Sequence, residues 1–524
     1  MKSSVGDSAS VLVVGGSLVG LSTAMFLAWR GVSTIVVERH AGSSLHPRAV
    51  GYTPRTMELF RTVGLDGRIP EAPAAFRLRR VKARSLAGDW LEESTWTPSH
   101  VETPAEPHSF SSGAAVAQDG LEPILRERAE ELGADIRAST EFLGFEQDHQ
   151  GVAARVLRRE DGFEHQIRAD YLIAADGAAS PIREALGIGR QGRGHIRTVR
   201  SVLFRAPLDE YLERGVSQFE IEQPGLKAFL TTYNDGRWVL MFTDDVARGD
   251  DELHAAIVRA IGRGDLPIEI ITTGCWELGA SVADRFAAGR VFLAGDAAHA
   301  LPPSRGGFGA NTGIGDAHNL AWKLAAVLGG EAGPALLDSY DAERRPVAWR
   351  RHQQIFARPD YKAEAQGVAD DEPIIGDAAM EFGQLYRSHA VIGVDDHLPP
   401  ALTPNAWAGQ PGVRAPHLWV ERDGERISTL DLFGRGWTLL ACTEAWRQAG
   451  RAATDSLGVP VEVVLIDTDI VAETPDAIRL ALGLGRTGAS LVRPDGIIAF
   501  RSADLPLDVN GTLEAALARL CARA

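Results

Sequence analysis

Cysteine is scarce in this chain, and the few that occur lie far apart. Only three of the 524 residues are cysteine, namely Cys275, Cys442 and Cys521. This number excludes a disulfide framework, and no two of them form the C-x-x-C pair of a redox or zinc site. We therefore expect a protein of the reducing cytoplasm. His299 and His318 are too isolated from other ligands to suggest a metal site.

An excess of positive charge and long apolar runs are also missing. The formal net charge is −16, whereas nucleic-acid binding needs clustered lysine and arginine that displace counterions. No segment is apolar over the length that a bilayer crossing requires. Residues 1–10 lack the charged and apolar regions of a secretory signal. The expectation is a cytoplasmic protein that binds neither nucleic acid nor membranes.

The chain is long and rich in glycine, with 524 residues and 55 glycines. One hydrophobic core rarely serves a chain of this length, so about two to four domains are expected.

A glycine-rich turn follows the first aliphatic run. It reads Gly15-Gly16-Ser17-Leu18-Val19-Gly20 and leads into an amphipathic stretch from Leu21 to Trp29, after which a second aliphatic run ends at Glu38. This layout is typical of a dinucleotide site, in which the helix start faces the diphosphate and the acid binds a ribose. Ser17 replaces the middle glycine, so the motif is incomplete.

Two complete G-x-G-x-x-G strings occur elsewhere, at Gly187 to Gly192 and at Gly483 to Gly488. Each follows a helix-like stretch instead of a strand. Glycine in that setting indicates a helix end and a loop, so neither string is predicted to bind a nucleotide.

Two further strand ends resemble the first. Asp176-Gly177 follows the predicted strand Tyr171 to Ala175, and Gly295-Asp296 follows an aliphatic run that begins at Val291. A glycine-rich loop then leads into a helix predicted to start near Thr312. We expect these three distant segments to converge around one ligand.

The remaining chain divides into two patterns. Short alternating runs from about Arg197 to Ala287, with a turn at Asn234-Asp235-Gly236, predict an antiparallel sheet. Beyond a proline-rich linker at Pro399 to Pro404, strands alternate with helices. The predicted strands are Arg426–Leu440, Val461–Ile466 and Gly488–Phe500, and the predicted helices are Ala445–Leu457 and Leu513–Leu520.

With these segments in place, the chain resembles the FAD-dependent aromatic hydroxylases of the para-hydroxybenzoate hydroxylase type. Within them it is most similar to the aromatic polyketide hydroxylases that act on aklavinone-like compounds. The stretches Leu430 to Gly434 and Leu491 to Gly496 resemble the thioredoxin-like C-terminal domain of those enzymes. Here that domain has no cysteine pair, so a thiol redox role is not expected.

The resemblance implies an α/β fold with three domains. The first is a Rossmann-like FAD-binding domain formed by residues 1–75, 110–195 and 285–395. The second is an inserted substrate-binding domain with an antiparallel sheet, formed by residues 76–109 and 196–284. The third is a thioredoxin-like domain, residues 405–524, that lacks C-x-x-C.

The resemblance also implies a set of FAD contacts. Asp176 would support both flavin and nicotinamide binding, although it could instead only stabilise a turn. The other expected contacts are Gly15, Ser17 and Gly20 with the diphosphate, Glu38 and Arg39 with the adenosine ribose, Arg48 and Gln118 with the phosphate and ribityl portions, Asp296 with the ribityl chain, and Pro303, Gly309, Ala310 and Asn311 with the flavin edge.

The implied reaction is hydroxylation of a small aromatic polyketide with FAD as cofactor and NADPH or NADH as co-substrate. NAD(P)H would reduce FAD, O2 would give a flavin C4a-hydroperoxide, and oxygen would pass to an electron-rich ring. Two alternatives stay open, namely oxidative rearrangement such as ring cleavage or spiroketal formation, and sequestration of a labile intermediate without catalysis. A monomer or homodimer is expected.

Two residues are candidates for substrate contact. Tyr233 lies at a turn of the predicted antiparallel sheet, although it could equally be an ordinary turn residue. Arg305 lies in the flavin loop, which is one residue longer than the family pattern. Trp238 and Trp276 could belong to the core or to a pocket wall. His299 could be structural or could handle protons.

Overall fold

The computed structural model describes residues 7–72, 79–95, 107–303, 308–358 and 373–523. Up to residue 189 its elements are β1 (Asp7–Val14), α1 (Leu18–Trp29), β2 (Thr34–Val37), β3 (Gly51–Tyr52), α2 (Pro54–Thr62), β4 (Arg79–Ala83), β5 (Trp90–Thr95), β6 (Ala114–Ala115), α3 (Gln118–Glu131), β7 (Asp135–Arg137), β8 (Thr140–Gln147), β9 (Val152–Arg158), β10 (Phe163–Ala174) and α4 (Pro181–Ala185).

The middle part of the chain contributes the long strands and the long helices. Its elements are β11 (Arg190–Arg205), β12 (Gln218–Gln223), β13 (Leu226–Thr232), β14 (Arg237–Phe242), α5 (Asp250–Ile261), β15 (Glu269–Ala283), β16 (Ala287–Ala288), β17 (Val291–Leu293), β18 (His299–Ala300), α6 (Phe308–Leu328) and α7 (Asp338–Ala357).

The last part alternates short strands with helices. Its elements are α8 (Asp377–Phe382), α9 (Pro404–Trp407), β19 (Trp419–Arg422), β20 (Glu425–Ser428), β21 (Trp437–Ala441), α10 (Glu444–Leu457), β22 (Val461–Leu465), β23 (Val471–Ala472), α11 (Ala477–Leu482), β24 (Ala489–Val492), β25 (Ile498–Ser502) and α12 (Val509–Leu520). No helix in these ranges is long and apolar enough to cross a membrane.

A largely parallel sheet forms the centre of the molecule. Its strand order is β7-β2-β1-β10-β17-β16, and the neighbours from β7 to β17 are parallel. The end of β1 and all of β2 are buried, which explains their unbroken aliphatic runs. Helix α1 is buried at ten of its twelve residues, because it packs between α3, α6 and the sheet.

The second large sheet is mostly antiparallel and has the order β18-β15-β11-β14-β13-β12-β4-β5. Side chains alternate between its two faces. One face carries Phe204, Trp238 and Leu240 and packs against α5. The other carries Val199 and Leu278, which pack against residues of α6 and α7. The predicted turn is confirmed between β13 and β14, where Asn234 has φ +59° and Gly236 has φ +81°.

A smaller sheet of order β22-β21-β24-β25 forms the core of the last part. Strands β21 and β22 are parallel, whereas β24 is antiparallel to both β21 and β25. Helices α10 and α12 pack against each other beside this sheet.

Three predictions about secondary structure are wrong. Helix α5 was not expected. Its start is stabilised by Glu252 Oε2, which accepts the Gly249 N–H (2.8 Å). The predicted strand from Arg426 to Leu440 is interrupted by a helical turn at Thr429–Leu432, because Asp431 Oδ2 accepts the Ser428 N–H (2.9 Å). The predicted linker at Pro399 to Pro404 is packed, since Ala401 is buried and pairs with Gln384.

The start of α6 also differs from the prediction. Within the described residues the helix begins at Phe308 instead of near Thr312, so Gly309, Ala310 and Asn311 lie in its first turns. Phe308 is held in an apolar cluster with residues of α7 and α8, and the Thr312 hydroxyl donates to the Phe308 carbonyl. These contacts stabilise the first helical turn, although the glycine in it favours a loop.

Buried ion pairs join the last part of the chain to the rest. Arg414 forms an ion pair with Glu58 of α2, and Arg493 Nη1 lies 2.6 Å from Glu343 Oε1 of α7. These pairs belong to what we call the interface charge cluster, which comprises the cations Arg55, Lys323, Arg344, Arg414 and Arg493 and the carboxylates Glu58, Asp316, Glu343 and Asp495.

The substitution Arg414→Met tests this attachment. Among the described residues it leaves the buried Glu58 with Arg55 as its one cationic partner. Breaking a buried pair in this way costs about 3–5 kcal/mol. We expect urea unfolding to show a loss of that size. The control Arg422→Met, at an exposed pair with Glu462, should cost no more than about 1 kcal/mol. Equal losses in the two variants would contradict the assignment, whereas recovery in Glu58→Met/Arg414→Met would support it.

Candidate functional site

Four parallel strands end at one edge of the central sheet. The register aligns Val14 of β1 with Val37 of β2 and with Ala174 of β10, and Ala174 with Leu293 of β17. The segments that follow these strands therefore start side by side. The structure thus brings the three segments singled out in the sequence to one edge, where open α/β sheets bind their ligands.

The turn after β1 is too tightly packed for any side chain at two of its glycines. Gly15 has φ +107°, and a Cβ there would lie 2.2 Å from the Ala175 carbonyl oxygen. A Cβ on Gly20 would lie 1.8 Å from the Gly15 carbonyl oxygen. Strand β1, helix α1 and the segment after β10 can therefore approach each other only with glycine at both positions.

Helix α1 has an open start that faces this edge. Ser17 occupies the N-cap position, yet in the described chain no side chain caps the helix. The Ser17 hydroxyl instead donates to Glu122 Oε1 (2.5 Å) and accepts from Gln118 Nε2 (2.9 Å). Uncapped N–H groups at a helix start, together with the helix dipole, favour an anionic group such as a diphosphate.

Glu38 lies directly beside this turn. Its Oε2 accepts the Gly16 N–H (2.7 Å), and its Oε1 accepts the His40 N–H (2.8 Å). The carboxylate is therefore held at the end of β2 by the backbone on both sides. Arg39 is exposed next to it.

Gln118 connects the start of α3 to the segment that contains Arg48. Its Oε1 accepts the N–H groups of Arg48 (3.3 Å) and Ala49 (3.4 Å). The Arg48 side chain is exposed, and its charge acts on Asp296. Arg48, Gln118 and Asp296 therefore lie around one cleft.

Asp296 is exposed at the bottom of this cleft. Surrounding protein nevertheless raises the pKa of its carboxyl group, whereas His299 and Arg48 act in the opposite direction. An accessible acid that is shielded from bulk water is typical of a concave site that a ligand can fill.

His299, near Asp296 in sequence, belongs to a buried chain of charged groups. Its Nε2 lies 2.7 Å from Asp316 Oδ2, and Asp316 Oδ1 accepts from Arg344 Nε (2.7 Å). Asp316 Oδ2 also accepts the Gly295 N–H (3.2 Å). These bonds give His299 a positioning role between the turn at Asp296 and helix α6.

Asp176 combines the two interpretations that the sequence left open. Its Oδ2 accepts the Ile182 N–H (3.3 Å) at the start of α4, which stabilises the turn. Its Oδ1 is buried without a hydrogen-bond partner in the described ranges, and burial raises the pKa of the carboxyl group. The second oxygen is therefore a candidate acceptor for a ligand.

Arg183 ties two of the three segments together, although no role was predicted for it from the sequence. Its Nη1 donates to the carbonyls of Ala178 (3.1 Å) and Ala297 (3.0 Å), and its Nη2 donates to Ala179 (3.2 Å). The side chain is 2% exposed. Its position after Ser180-Pro181 was visible in the sequence, but its partner 114 residues away was not.

The first turns of α6 face the same region. Asn311 is buried there, and its side chain accepts from the Thr53 N–H (3.0 Å) and the Thr56 hydroxyl (2.6 Å) and donates to the Gly51 carbonyl (3.2 Å). Asn311 thus fixes α6 against β3 and α2. Gly309 and Ala310 are partly exposed and Pro303 is exposed. Arg305 lies outside the described residues.

The segment His46-Pro47-Arg48 is held by two side chains of the antiparallel sheet. Tyr233 donates its hydroxyl to the Pro47 carbonyl (2.7 Å), and Ser201 Oγ lies 2.7 Å from His46 Nε2. Burial lowers the pKa of His46, so the ring is neutral at pH 7. The Tyr233 hydroxyl, a candidate for substrate contact, is thus engaged with the backbone beside Arg48.

An apolar cluster, which we call the apolar wall, lies between the antiparallel sheet and helices α6, α7 and α8. Trp276 belongs to it, because its ring contacts His46 at 5.5 Å between centroids, whereas Trp238 is fully buried in the core on the other side. The other side chains of the wall are Ile196, Val199, Met241, Leu278, Leu301, Phe308, Ile355, Phe356, Ile375 and Met380.

The comparisons with known proteins match this architecture. The model of an FAD binding domain matches residues 8–354, and that of an aromatic-ring hydroxylase C-terminal region matches residues 408–524. A putative polyketide hydroxylase of Streptomyces halstedii is 42% identical over 94% of this chain and 93% of its own length. A 4-methyl-5-nitrocatechol 5-monooxygenase of a Burkholderia species is 40% identical over 98% of this chain and 97% of its own length.

The solved ternary complex of aklavinone-11 hydroxylase with FAD and aklavinone has the same fold. It superposes with a TM-score of 0.89 and 38% identity, covering 98% of this chain and 99% of that one. The mixed α/β hydroxylase fold and the predicted family are confirmed. This chain belongs to the family of FAD-binding aromatic-ring hydroxylases.

Proposed function

We propose that this protein is an FAD-dependent monooxygenase that uses NADPH or NADH and O2 to hydroxylate a polycyclic aromatic polyketide. The observation that carries the proposal is the cleft itself. Its floor is the edge where β1, β2, β10 and β17 end. Helix α6, against which the apolar wall of the antiparallel sheet packs, starts beside it. A nucleotide cofactor and an apolar ring would therefore meet between the two sheets.

The residues of the cleft fit FAD in charge and in shape. The diphosphate would bind at Gly15, Ser17 and Gly20, where the helix start is open and the glycines leave room for the backbone to approach. The ribose would bind at Glu38 beside Arg39. Arg48, Gln118 and Asp296 would hold the phosphate and ribityl portions, and Pro303, Gly309, Ala310 and Asn311 would line the flavin edge.

When bound, FAD supplies the redox chemistry, in which NAD(P)H gives up a hydride and O2 is activated. The chain supplies position and electrostatics. The positive end of α6 favours electron-rich groups near Gly309 and Ala310. The apolar wall would keep water away from a substrate that lies against it, which would protect reactive species from side reactions.

The substrate would lie against the apolar wall. The neighbour of known structure was solved with FAD and aklavinone, and the Streptomyces halstedii relative is described as a polyketide hydroxylase. These relatives favour a fused aromatic polyketide. The Burkholderia relative is named for a single-ring nitrocatechol. A one-ring aromatic is therefore the alternative substrate class, to be compared with a fused polyketide.

We also propose the three-domain division, namely residues 1–75 with 110–195 and 285–395, residues 76–109 with 196–284, and residues 405–524. Strands β4 and β5 support it, because they join the antiparallel sheet although they precede it by about a hundred residues. A thioredoxin-like fold for the last domain is supported by its element order β21-α10-β22-β23-α11-β24-β25-α12 and its sheet order β22-β21-β24-β25.

Turnover with candidate substrates tests the function. Purified holoenzyme is supplied with NADPH, 18O2 and either aklavinone or 4-methyl-5-nitrocatechol. Substrate-stimulated NADPH oxidation with one labelled oxygen in an otherwise unchanged aklavinone skeleton supports hydroxylation of a polyketide. A cleaved or rearranged skeleton supports oxidative rearrangement. Turnover of the nitrocatechol alone would overturn the polyketide assignment, and substrate binding without turnover would favour a sequestering flavoprotein.

Asp296→Ala should weaken FAD binding. Hydrogen bonds to a charged group contribute about 1.5–3 kcal/mol, so the FAD dissociation constant should rise about 10-fold to 100-fold. The absorbance of bound flavin and fluorescence titration of the apoprotein measure this. Asp284→Ala is the control, because Asp284 is an exposed aspartate beside Gly189 to which no FAD contact is assigned. A fully loaded yellow Asp296→Ala protein would contradict the assigned role of Asp296.

Tyr233→Phe should also weaken FAD binding, by a smaller factor. The variant frees the Pro47 carbonyl and so loosens the segment that carries Arg48. Loss of one neutral hydrogen bond costs about 1 kcal/mol, which is about fivefold in affinity. Tyr211→Phe, in the helical turn Asp209–Leu212, should leave FAD affinity unchanged. Unchanged FAD affinity in Tyr233→Phe with weaker aklavinone binding would instead indicate direct substrate contact.

A further inference from the structure

A polar cavity lies between the flavin-side helices and the last part of the chain. Its volume is about 70 Å³, well above the roughly 10–15 Å³ that one water molecule needs. Helices α2, α6, α7 and α8 and the segment Asp495 to Ile497 enclose it. Of the residues assigned above to FAD, Asn311 alone lines it.

Two charged side chains line this cavity without an ion-pair partner. Within the described residues, neither Arg351 of α7 nor Glu381 of α8 has an opposite charge within 4.0 Å. Every member of the interface charge cluster, by contrast, is paired. Both unpaired charges lie at the wall of the cavity, where a ligand can reach them.

The hydrogen bonds of Arg351 are incomplete as well. Its Nη1 donates to the Thr312 hydroxyl (2.6 Å) and its Nη2 to the Met380 carbonyl (3.5 Å), but in the described structure its Nε has no acceptor. Burial, with a contribution from Arg344, lowers the pKa of Arg351 to about 10. The cation is thus under-compensated, and a negative charge near it would be stabilising.

Glu381 provides this negative charge only in part, because the two charges attract each other from more than 4.0 Å apart. Its Oε1 accepts the Arg55 N–H (2.8 Å) at the start of α2. Burial raises the pKa of Glu381 to about 7, so its neutral form, which can donate a hydrogen bond, is readily populated. A protonated Glu381 would be a second donor to a ligand in the cavity.

The surroundings of Arg351 and Glu381 carry one more positive than negative charge. The interface charge cluster has five cations and four carboxylates, and three of those cations, Arg55, Arg344 and Arg414, line the cavity. This balance disfavours a metal cation and favours an anion. The space open to a water-sized sphere, about 70 Å³, favours a small anion.

We propose that this cavity is a binding site for a small inorganic anion of the size of chloride, held by Arg351 and by a protonated Glu381. Arg351 also holds Thr312 in the first turns of α6, so the site lies directly behind the helix start that faces the cleft. The proposal does not depend on the proposed function, since the anion would bind whether or not the enzyme turns over.

Bromide tests the site, because it replaces chloride and scatters anomalously. Crystals of the FAD-loaded protein grown in sodium bromide should show an anomalous peak in the cavity within hydrogen-bond distance of Arg351 Nε. In solution, bromide should raise the melting temperature more than gluconate does at equal ionic strength. Ordered water alone in the cavity of the wild-type protein would overturn the proposal.

Three variants sharpen the test. Arg351→Gln should remove the anomalous peak and the specific effect of bromide on the melting temperature. Arg345→Gln, at an exposed position of the same helix, should retain both. Glu381→Gln removes a carboxylate that competes with the anion, so bromide should bind at least as tightly as in the wild type.

Loss of the peak in Arg345→Gln, or an unchanged bromide effect in Arg351→Gln, would contradict the site. If Arg351→Gln does not fold, the wild-type anomalous map decides.

Discussion

The cleft depends on one packing constraint, the close approach of β1, α1 and β10 at the edge of the central sheet. Gly15 and Gly20 allow it, since a Cβ at either position would overlap a backbone carbonyl. Once these elements meet, the parallel register fixes where Asp176 and Asp296 emerge. A shift of one residue in that register would turn the strand ends toward the opposite face, and the acids would no longer surround a common space.

The second sheet does more than offer an apolar surface. Ser201 and Tyr233 reach from it to His46 and Pro47, so the segment that carries Arg48 is positioned by the part of the protein that would bind substrate. Arg48 in turn acts on Asp296 across the cleft. The cofactor side and the substrate side are therefore joined by hydrogen bonds through one short segment, and a shift of the antiparallel sheet would be transmitted directly to Arg48.

Local patterns in the sequence were enough to predict the strand ends and the family, because Gly15 to Gly20, Asp176 and Asp296 each follow a strand within a few residues. Roles that depend on distant partners could not be predicted. The Tyr233 hydroxyl bonds to a carbonyl 186 residues away, and Arg183 and Asn311 act over similar separations. Helix α6 starts earlier than expected because Phe308 packs against α7 and α8. The glycines next to Phe308 in the sequence do not predict these tertiary contacts.

The last part of the chain lacks a reactive cysteine pair, yet it is joined to the centre by charges that are costly to bury. Apolar contacts such as Trp322 with Trp437 also join the two parts, and the ion pairs add hydrogen bonds of defined geometry to them. Helix α6 is the element whose position these ion pairs constrain. Asn311 fixes its start beside the cleft, and Asn319 and Lys323, two to three turns further on, bond to Glu343, which Arg493 also holds. Because a helix is stiff over this length, Arg493 and Asp495 constrain the end of α6 that faces the cleft, although neither residue reaches it.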